Sequence, residues 1–219
     1  DARDGQPCEQ FGDRGTVTLA EHERYGLEEV GSSSPPAVAN GVVVVGSSVI
    51  DFAYNEAPRG VIAAYDAITG EPRWTFDPLQ GATGTGAANA WAPLAVDAER
   101  DLVFVPTGAP SPDYYGALRL GRNGYANSVV ALRLSTGEVA WAFQLVHHDL
   151  WDYDTPAQPV LFHWRGAGAE QGCAEDQHGA LADGTQGVCH GRAGSKVRIG
   201  RRRRAVGVPP VPAEAVFLG

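Results

Sequence analysis

The 219 residues contain no methionine, three cysteines and a single lysine, Lys196, beside sixteen arginines. A translated product begins with methionine. The chain is therefore expected to be either processed at its N-terminus or an internal piece of a longer protein, and we take the second as the working expectation. Cysteines at 8, 173 and 189 are too few, and odd in number, to form a disulfide framework, and they leave the compartment open. No run reaches the 18 or more uncharged apolar residues of a membrane-spanning helix; the longest candidate, around 41–46, has the length of a buried strand. Positive charge is also scarce. Net charge is −9, and such a body disfavours nucleic-acid binding, which needs Lys and Arg against phosphates.

An apolar share of 43% with 20% charged residues excludes a wholly disordered or collagen-like chain. Twenty-eight glycines and fifteen prolines break the chain often, which favours short strands joined by turns. Charge divides unevenly: residues 1–162 hold 9 basic and 21 acidic side chains, whereas 163–219 hold 8 basic and 5 acidic. We place a boundary there. Beyond 162 the strand pattern stops, and the segment has the composition of a disordered tail or of an out-of-frame reading of a GC-rich gene. The arginine run 201–204 reads as solvated tail. Cys173, His178, Cys189 and His190 lack the paired spacing of a zinc knuckle. GTGAAN at 84–89 has no helix pattern behind it, which sets a dinucleotide loop aside.

Sliding the sequence by 67 residues aligns GVIAAYDAITGEPRWTFDPL (60–79) with NSVVALRLSTGEVAWAFQLV (127–146). Coincident residues include Ala64/Ala131, Thr69/Thr136, Gly70/Gly137 and Trp74/Trp141. Each copy reads as a β-hairpin: a buried strand, a Thr-Gly turn that supplies a hydroxyl and a positive φ, and a second strand that carries a Trp inward. Further strands are expected at 37–38, at 41–46 after the Asn40-Gly41 turn, and at 102–106. Such hairpins cannot bury a face alone, but four-stranded sheets arranged radially can. Blade repeats run about 40–50 residues, so the 67-residue spacing implies an insertion, either 81–90 or 110–123.

The repeat A-x-D-x-x-T-G-x-x-x-W, complete from Ala64 to Trp74 and with Arg133 replacing the aspartate in its second copy, resembles the tryptophan-docking motif of quinoprotein dehydrogenases. SSPPAV (33–38), NAWAPLAVDAERDLVFVPTG (89–108), SPDYYG (111–116) and VHHDLWDYDTPAQPVLF (146–162) are similar to the membrane-type glucose dehydrogenase branch, which uses pyrroloquinoline quinone (PQQ). The resemblance covers about residues 8–162. It implies an all-β fold, a partial β-propeller of about three blades out of eight over 1–162; the composition beyond adds an irregular tail over 163–219.

The resemblance also implies chemistry and place: PQQ-dependent oxidation of a sugar or polyol, with electrons passed to a membrane quinone or a cytochrome, in the periplasm, in a parent attached to the inner membrane. By motif position Asp152 is the general base, Trp91 the floor on which the quinone stacks, and Asp51 and Asp154 ligands of a divalent cation. Ser33 and Ser34 are assigned to the cofactor carboxylates. Strand alternation would put Asp152 and Asp154 on one side, and two carboxylates on one cation suit Ca²⁺. By residue type alone Asp152 is an ordinary turn aspartate, Trp91 a core aromatic and Asp51 a loop carboxylate. His147 and His148, as strand neighbours, would face opposite ways and share no ion.

Two departures bear on the metal. Ala109 stands where the family usually presents an asparagine after PTG, and Phe52 where an asparagine usually follows the loop aspartate. Two rivals to the enzyme follow: a non-catalytic Trp-docked propeller used for protein contacts, and a truncated inactive fragment.

Overall fold

The structure is a computed structural model that describes residues 3–19 and 30–162 and the strands at 186–189, 198–199 and 215–218. Among the described residues there is no α-helix, so no helix is long and apolar enough to cross a membrane. The strands are β1 (Val30–Gly31), β2 (Ala37–Ala39), β3 (Val42–Val45), β4 (Ser48–Val49), β5 (Ile62–Asp66), β6 (Pro72–Phe76), β7 (Gly86–Ala87), β8 (Ala95–Asp97), β9 (Leu102–Pro106), β10 (Pro110–Ser111), β11 (Ser128–Arg133), β12 (Val139–Gln144), β13 (Pro159–Phe162), β14 (Gln186–Cys189), β15 (Arg198–Ile199) and β16 (Ala215–Leu218). The chain divides into two units, Asp1–Pro156 and Ala157–Gly219.

The first unit holds two four-stranded antiparallel meanders, β2-β3-β5-β6 and β8-β9-β11-β12. The expected hairpins are their outer halves, β5/β6 and β11/β12. Their likeness extends to the backbone: the register shifts between Ala64 and Tyr65 in one and between Ala131 and Leu132 in the other, positions 67 residues apart. In each turn a Thr hydroxyl accepts from an amide two residues on, Glu71 at 3.2 Å and Glu138 at 3.3 Å, and Gly70 and Gly137 both adopt φ 76°. Only a residue without Cβ takes that conformation freely.

The two sheets share one core. Val42, Val44, Ile62 and Phe76 of the first pack with Val103, Val105, Val130 and Leu132 of the second. Alternation in β3 puts Val42 and Val44 inside, as period-2 patterning requires. The sheets are also pinned together. The Trp74 indole N–H donates to the Leu134 carbonyl at 2.9 Å, and its ring lies 2.7 Å from where a Cβ on Gly137 would be. Trp74 thus docks sideways on the turn of the next sheet rather than simply inward. The equivalent glycine of the first sheet, Gly70, is covered by Gly12 and Val17, and the Gly12 amide donates to the Thr69 carbonyl at 2.8 Å.

The extra length in the repeat is shared by both candidate segments. Residues 77–94 carry β7, residues 107–127 carry β10 and a short 3-10 turn at Gly116–Leu118, and β7 and β10 pair with each other. The second unit contains a four-stranded antiparallel sheet, β13-β16-β14-β15. Apart from these strands, the expected irregular stretch 163–219, the 201–204 arginines and Cys173, His178 and His190 lie outside the described residues, as does the Cys189 side chain.

Candidate active site

β9 ends, β11 begins and β12 ends at one edge of their sheet, since Pro106 pairs with Val129 and Ser128 with Gln144. The loops 107–127 and 145–156 therefore leave together. Asn127 stitches them: its amide donates to the Gly108 carbonyl at 2.8 Å, and its own carbonyl accepts from the Leu145 amide at 2.8 Å. The β7/β10 pair brings the segment carrying Trp91 alongside, with the Gly108 amide bonded to the Asn89 carbonyl at 2.9 Å.

Asp154 is the hub. Its Oδ2 accepts the indole N–H of Trp91 at 2.5 Å, and its Oδ1 accepts the backbone N–H of Ala109 at 2.5 Å. A Cβ at position 108 would stand 2.5 Å from Asp154 Oδ1, so glycine there leaves that carboxylate its place. Ser33 Oγ donates to the Trp91 carbonyl at 3.0 Å. The indole is thereby held at its N–H and at its backbone. Ser34 is buried, and its carbonyl accepts from Ser32 Oγ at 3.4 Å.

Asp152 is not on a strand. It sits in an irregular loop at φ 56°, so alternation does not govern how it and Asp154 are placed. Its neighbours are pinned instead: Asp149 accepts the Trp151 amide at 3.0 Å and the Tyr153 amide at 2.6 Å, and Asn127 Nδ2 bonds Asp149 Oδ2 at 2.9 Å and the Tyr153 carbonyl at 2.9 Å. Burial, then the charge of Asp154, then those of Asp113, Asp51 and Asp149 push the Asp152 carboxyl up to about 6. Asp51, exposed at the rim, is also raised, by partial desolvation and by Asp113 and Asp154. Burial raises Asp154 against the lowering pull of its two N–H donors.

Five carboxylates thus share one electrostatic neighbourhood. The buried Arg119 lies against two of them: its Nε donates to the Pro112 carbonyl at 3.0 Å, Nη1 to Asn123 Oδ1 at 2.9 Å, and Nη2 to the carbonyls of Asp113 (3.1 Å) and Asp149. Burial lowers its pKa, and Asp149 and Asp113 oppose that shift. The sequence alone does not single out Arg119, Asn127, Asp113 or Asp149. Asp149 stands inside the VHHDLWDYD motif and so is within reach; nothing around Arg119 marks it. His147 and His148 lie beyond β12, bonded separately to Gln144 Oε1 at 2.8 Å and to the Gly121 carbonyl at 2.9 Å.

The surplus of negative charge suits a cation, and the half-buried indole suits a flat ring. The ligand count is less complete. Ala109 offers a backbone N–H where an oxygen would serve, Phe52 offers none, and among the described residues no three His, Cys, Asp or Glu side chains converge closely enough to hold an ion. The described residues supply the charge of a cation site but not a full set of ligands.

Repeated four-stranded meanders and Trp-to-Gly docking between sheets are the marks of a Trp-docked β-propeller, with a carboxylate-rich cluster in the loops at the sheet edge. Residues 1–173 match the family described as "PQQ: Glucose/ethanol/alcohol dehydrogenase, beta-propeller domain", and the chain belongs to that family. Quinoprotein glucose dehydrogenase A of Acinetobacter calcoaceticus is 43% identical over 169 residues, covering 72% of this chain and 21% of its own. Quinoprotein glucose dehydrogenase of Escherichia coli (strain K12) is 40% identical over 176 residues, covering 73% and 22%. The chain therefore spans about a fifth of the length of these relatives. Among solved structures, the quinohemoprotein alcohol dehydrogenase from Comamonas testosteroni superposes with a TM-score of 0.56 at 28% identity, over 64% of this chain and 24% of that one.

Proposed function

We propose that this chain is the base-bearing part of a PQQ-dependent dehydrogenase that oxidises a hydroxyl of a sugar or polyol. The observations that support the reading are the Trp91 indole held by Asp154 and the Asp152 carboxyl lifted to about 6 by burial and by the charge of that same Asp154. A general base works best with a pKa near the operating pH, and Asp152 is ionised at neutrality yet still basic enough to take a hydroxyl proton. Asp152 accepts that proton on its carboxylate. Trp91 presents the floor, with its indole N–H held by Asp154 and its backbone carbonyl by Ser33. PQQ, held by Trp91, Ser33 and Ser34, would supply the hydride acceptor, and a divalent cation, Ca²⁺ in this reading, would supply Lewis-acid polarisation. Asp51 and Asp154 contribute to the cation, Ser33 and Ser34 to the cofactor, and residues 1–162 form the propeller part. Electrons leave to a membrane quinone or a cytochrome, in a periplasmic protein held at the inner membrane.

The test is reconstitution of the full-length protein with PQQ and Ca²⁺, read as dye reduction with glucose and other polyols. Asp152→Asn is expected to lower kcat by a factor on the order of 10²–10⁴ while the cofactor spectrum persists. Absence of both dye reduction and cofactor spectrum would favour the rival scaffold reading, which rests on Ala109, Phe52 and the incomplete ligand set.

A further inference from the structure

Arg119 is 2% exposed, and among the described residues every oxygen that its guanidinium bonds is uncharged: the carbonyls of Pro112, Asp113 and Asp149 and Oδ1 of Asn123. Taking a guanidinium out of water is costly unless opposite charge and hydrogen bonds compensate. The opposite charge stands beside it, on Asp149 and Asp113, which are 1% and 5% exposed. The same two carboxylates act on Asp152 and Asp154, so loops 112–113 and 149–154 bring like charges together. Arg119 is a cation that bonds both loops.

The contacts run on to the base. Arg119 follows the 3-10 turn, where its own amide donates to the Gly116 carbonyl at 3.1 Å. That turn is set against the next loop: a Cβ on Gly116 would collide with the His148 ring, and His148 Nδ1 lies 2.9 Å from the Gly121 carbonyl. Asn123, at φ 59°, accepts from Arg119 Nη1 and returns its amide to the Arg119 carbonyl at 2.6 Å. At the far end Asp149 is held twice, its carbonyl by Arg119 and its carboxylate by Asn127. That carboxylate takes the amides of Trp151 and Tyr153, the residues on either side of Asp152. Asp152 itself stands at φ 56°, a conformation that its surroundings have to hold.

We propose that Arg119 is a positioning residue for the reaction: by bonding loop 112–113 and Asp149 at once, it keeps two acidic loops together and fixes where the Asp152 carboxylate stands. A lysine would supply the charge without the reach, since an ammonium on one atom does not span the oxygens on three segments that a planar fork meets together. An apolar side chain of similar length would leave three carbonyls unpaired and the two acidic loops unopposed.

The role in turnover rests on Asp152 as the base, so one arm of the test needs no turnover. In the cofactor-free full-length protein, amide hydrogen exchange compares residues 147–154 with β11 and β12 in wild type and variants. Arg119→Met is expected to speed exchange at the Trp151 and Tyr153 amides by about tenfold or more, with the two strands unchanged. Asn123→Ala removes one partner and keeps the charge, and is expected to speed the same two amides by about threefold. Unchanged exchange at both amides, or acceleration spread evenly over the strands, overturns the brace. In the reconstituted enzyme Arg119→Met is expected to lower kcat by about 10² with KM for the alcohol changed by less than about threefold, and Arg119→Lys to fall between it and wild type. Wild-type kcat in Arg119→Met, full recovery in Arg119→Lys, or a loss carried by KM alone overturns the positioning role. Absence of turnover of any alcohol by wild type would remove the dehydrogenase reading, and the exchange arm would still decide whether Arg119 holds the loop.

Discussion

Trp91 and Asp154, 63 residues apart, meet through an indole N–H to carboxylate hydrogen bond of 2.5 Å. The same carboxylate covers Gly108, so the three form one stack. Gly108→Ala would put a methyl group 2.5 Å from Asp154 Oδ1 and push the carboxylate off the indole. The expected outcome is PQQ affinity lowered by about tenfold or more with a shifted Trp91 emission, measured by cofactor titration with fluorescence. Unchanged affinity would mean that the indole does not need Asp154 to hold its place.

Asp149 is 1% exposed and accepts three hydrogen bonds that brace both sides of Asp152. Asp149→Ala strands those donors in the interior. We expect a loss of stability on the order of 3 kcal/mol and a fall in kcat/KM of about 10², with Asp149→Asn falling between. Urea unfolding beside steady-state kinetics decides it; wild-type turnover in the alanine variant would remove Asp149 from the positioning of the base.

Two glycines with nearly equal φ separate packing from backbone strain. Gly137, at φ 76°, lies under the Trp74 ring, whereas Gly41, at φ 74°, has nothing within 4 Å of its would-be Cβ. Gly41→Ala is expected to cost about 1 kcal/mol and Gly137→Ala roughly 2–4 kcal/mol. Equal shifts in the urea midpoint would show that the Trp–Gly contact carries no stability.

Asp66 closes the first Thr-Gly turn. It accepts from Arg73 Nη2 at 2.6 Å and from the Thr69 and Ile68 amides at 2.9 Å, which hold its carboxyl far below the usual carboxylate range. Because folding lowers this pKa, the stabilisation is complete above the unfolded value of about 4 and is lost as pH falls below it. The difference in melting temperature between wild type and Asp66→Asn is expected to shrink from about pH 6 to about pH 3. A constant difference would assign the turn's stability to Thr69 and Gly70 alone.

Much of the fold is legible in the sequence because its signals are local. The Thr-Gly turns close with bonds between near neighbours, and β3 alternates its valines over four positions, so the hairpins and the 67-residue repeat can be read without any long-range information. The location of the extra length is only half legible: neither 81–90 nor 110–123 by itself accounts for it, since β7 and β10 arise as a pair across the two segments. Strand alternation predicts Asp152 and Asp154 on one side, yet a positive φ at 152 removes the alternation, and a turn of that kind leaves little trace in an aspartate-rich stretch.

The amino-acid order alone determined the hairpin units, the tryptophan in each repeat and the acidic character of the body, since each depends on residue type within a few positions. The tertiary structure decided which carboxylates face one another, that Asp154 grips Trp91, that Arg119 and Asn127 lace the loops, and that Phe52 lies on Tyr114. Most of those contacts join segments far apart in the chain, up to the 63 positions between Trp91 and Asp154. Their geometry is set by the pairing of β7 with β10 and by burial of polar groups that must find partners.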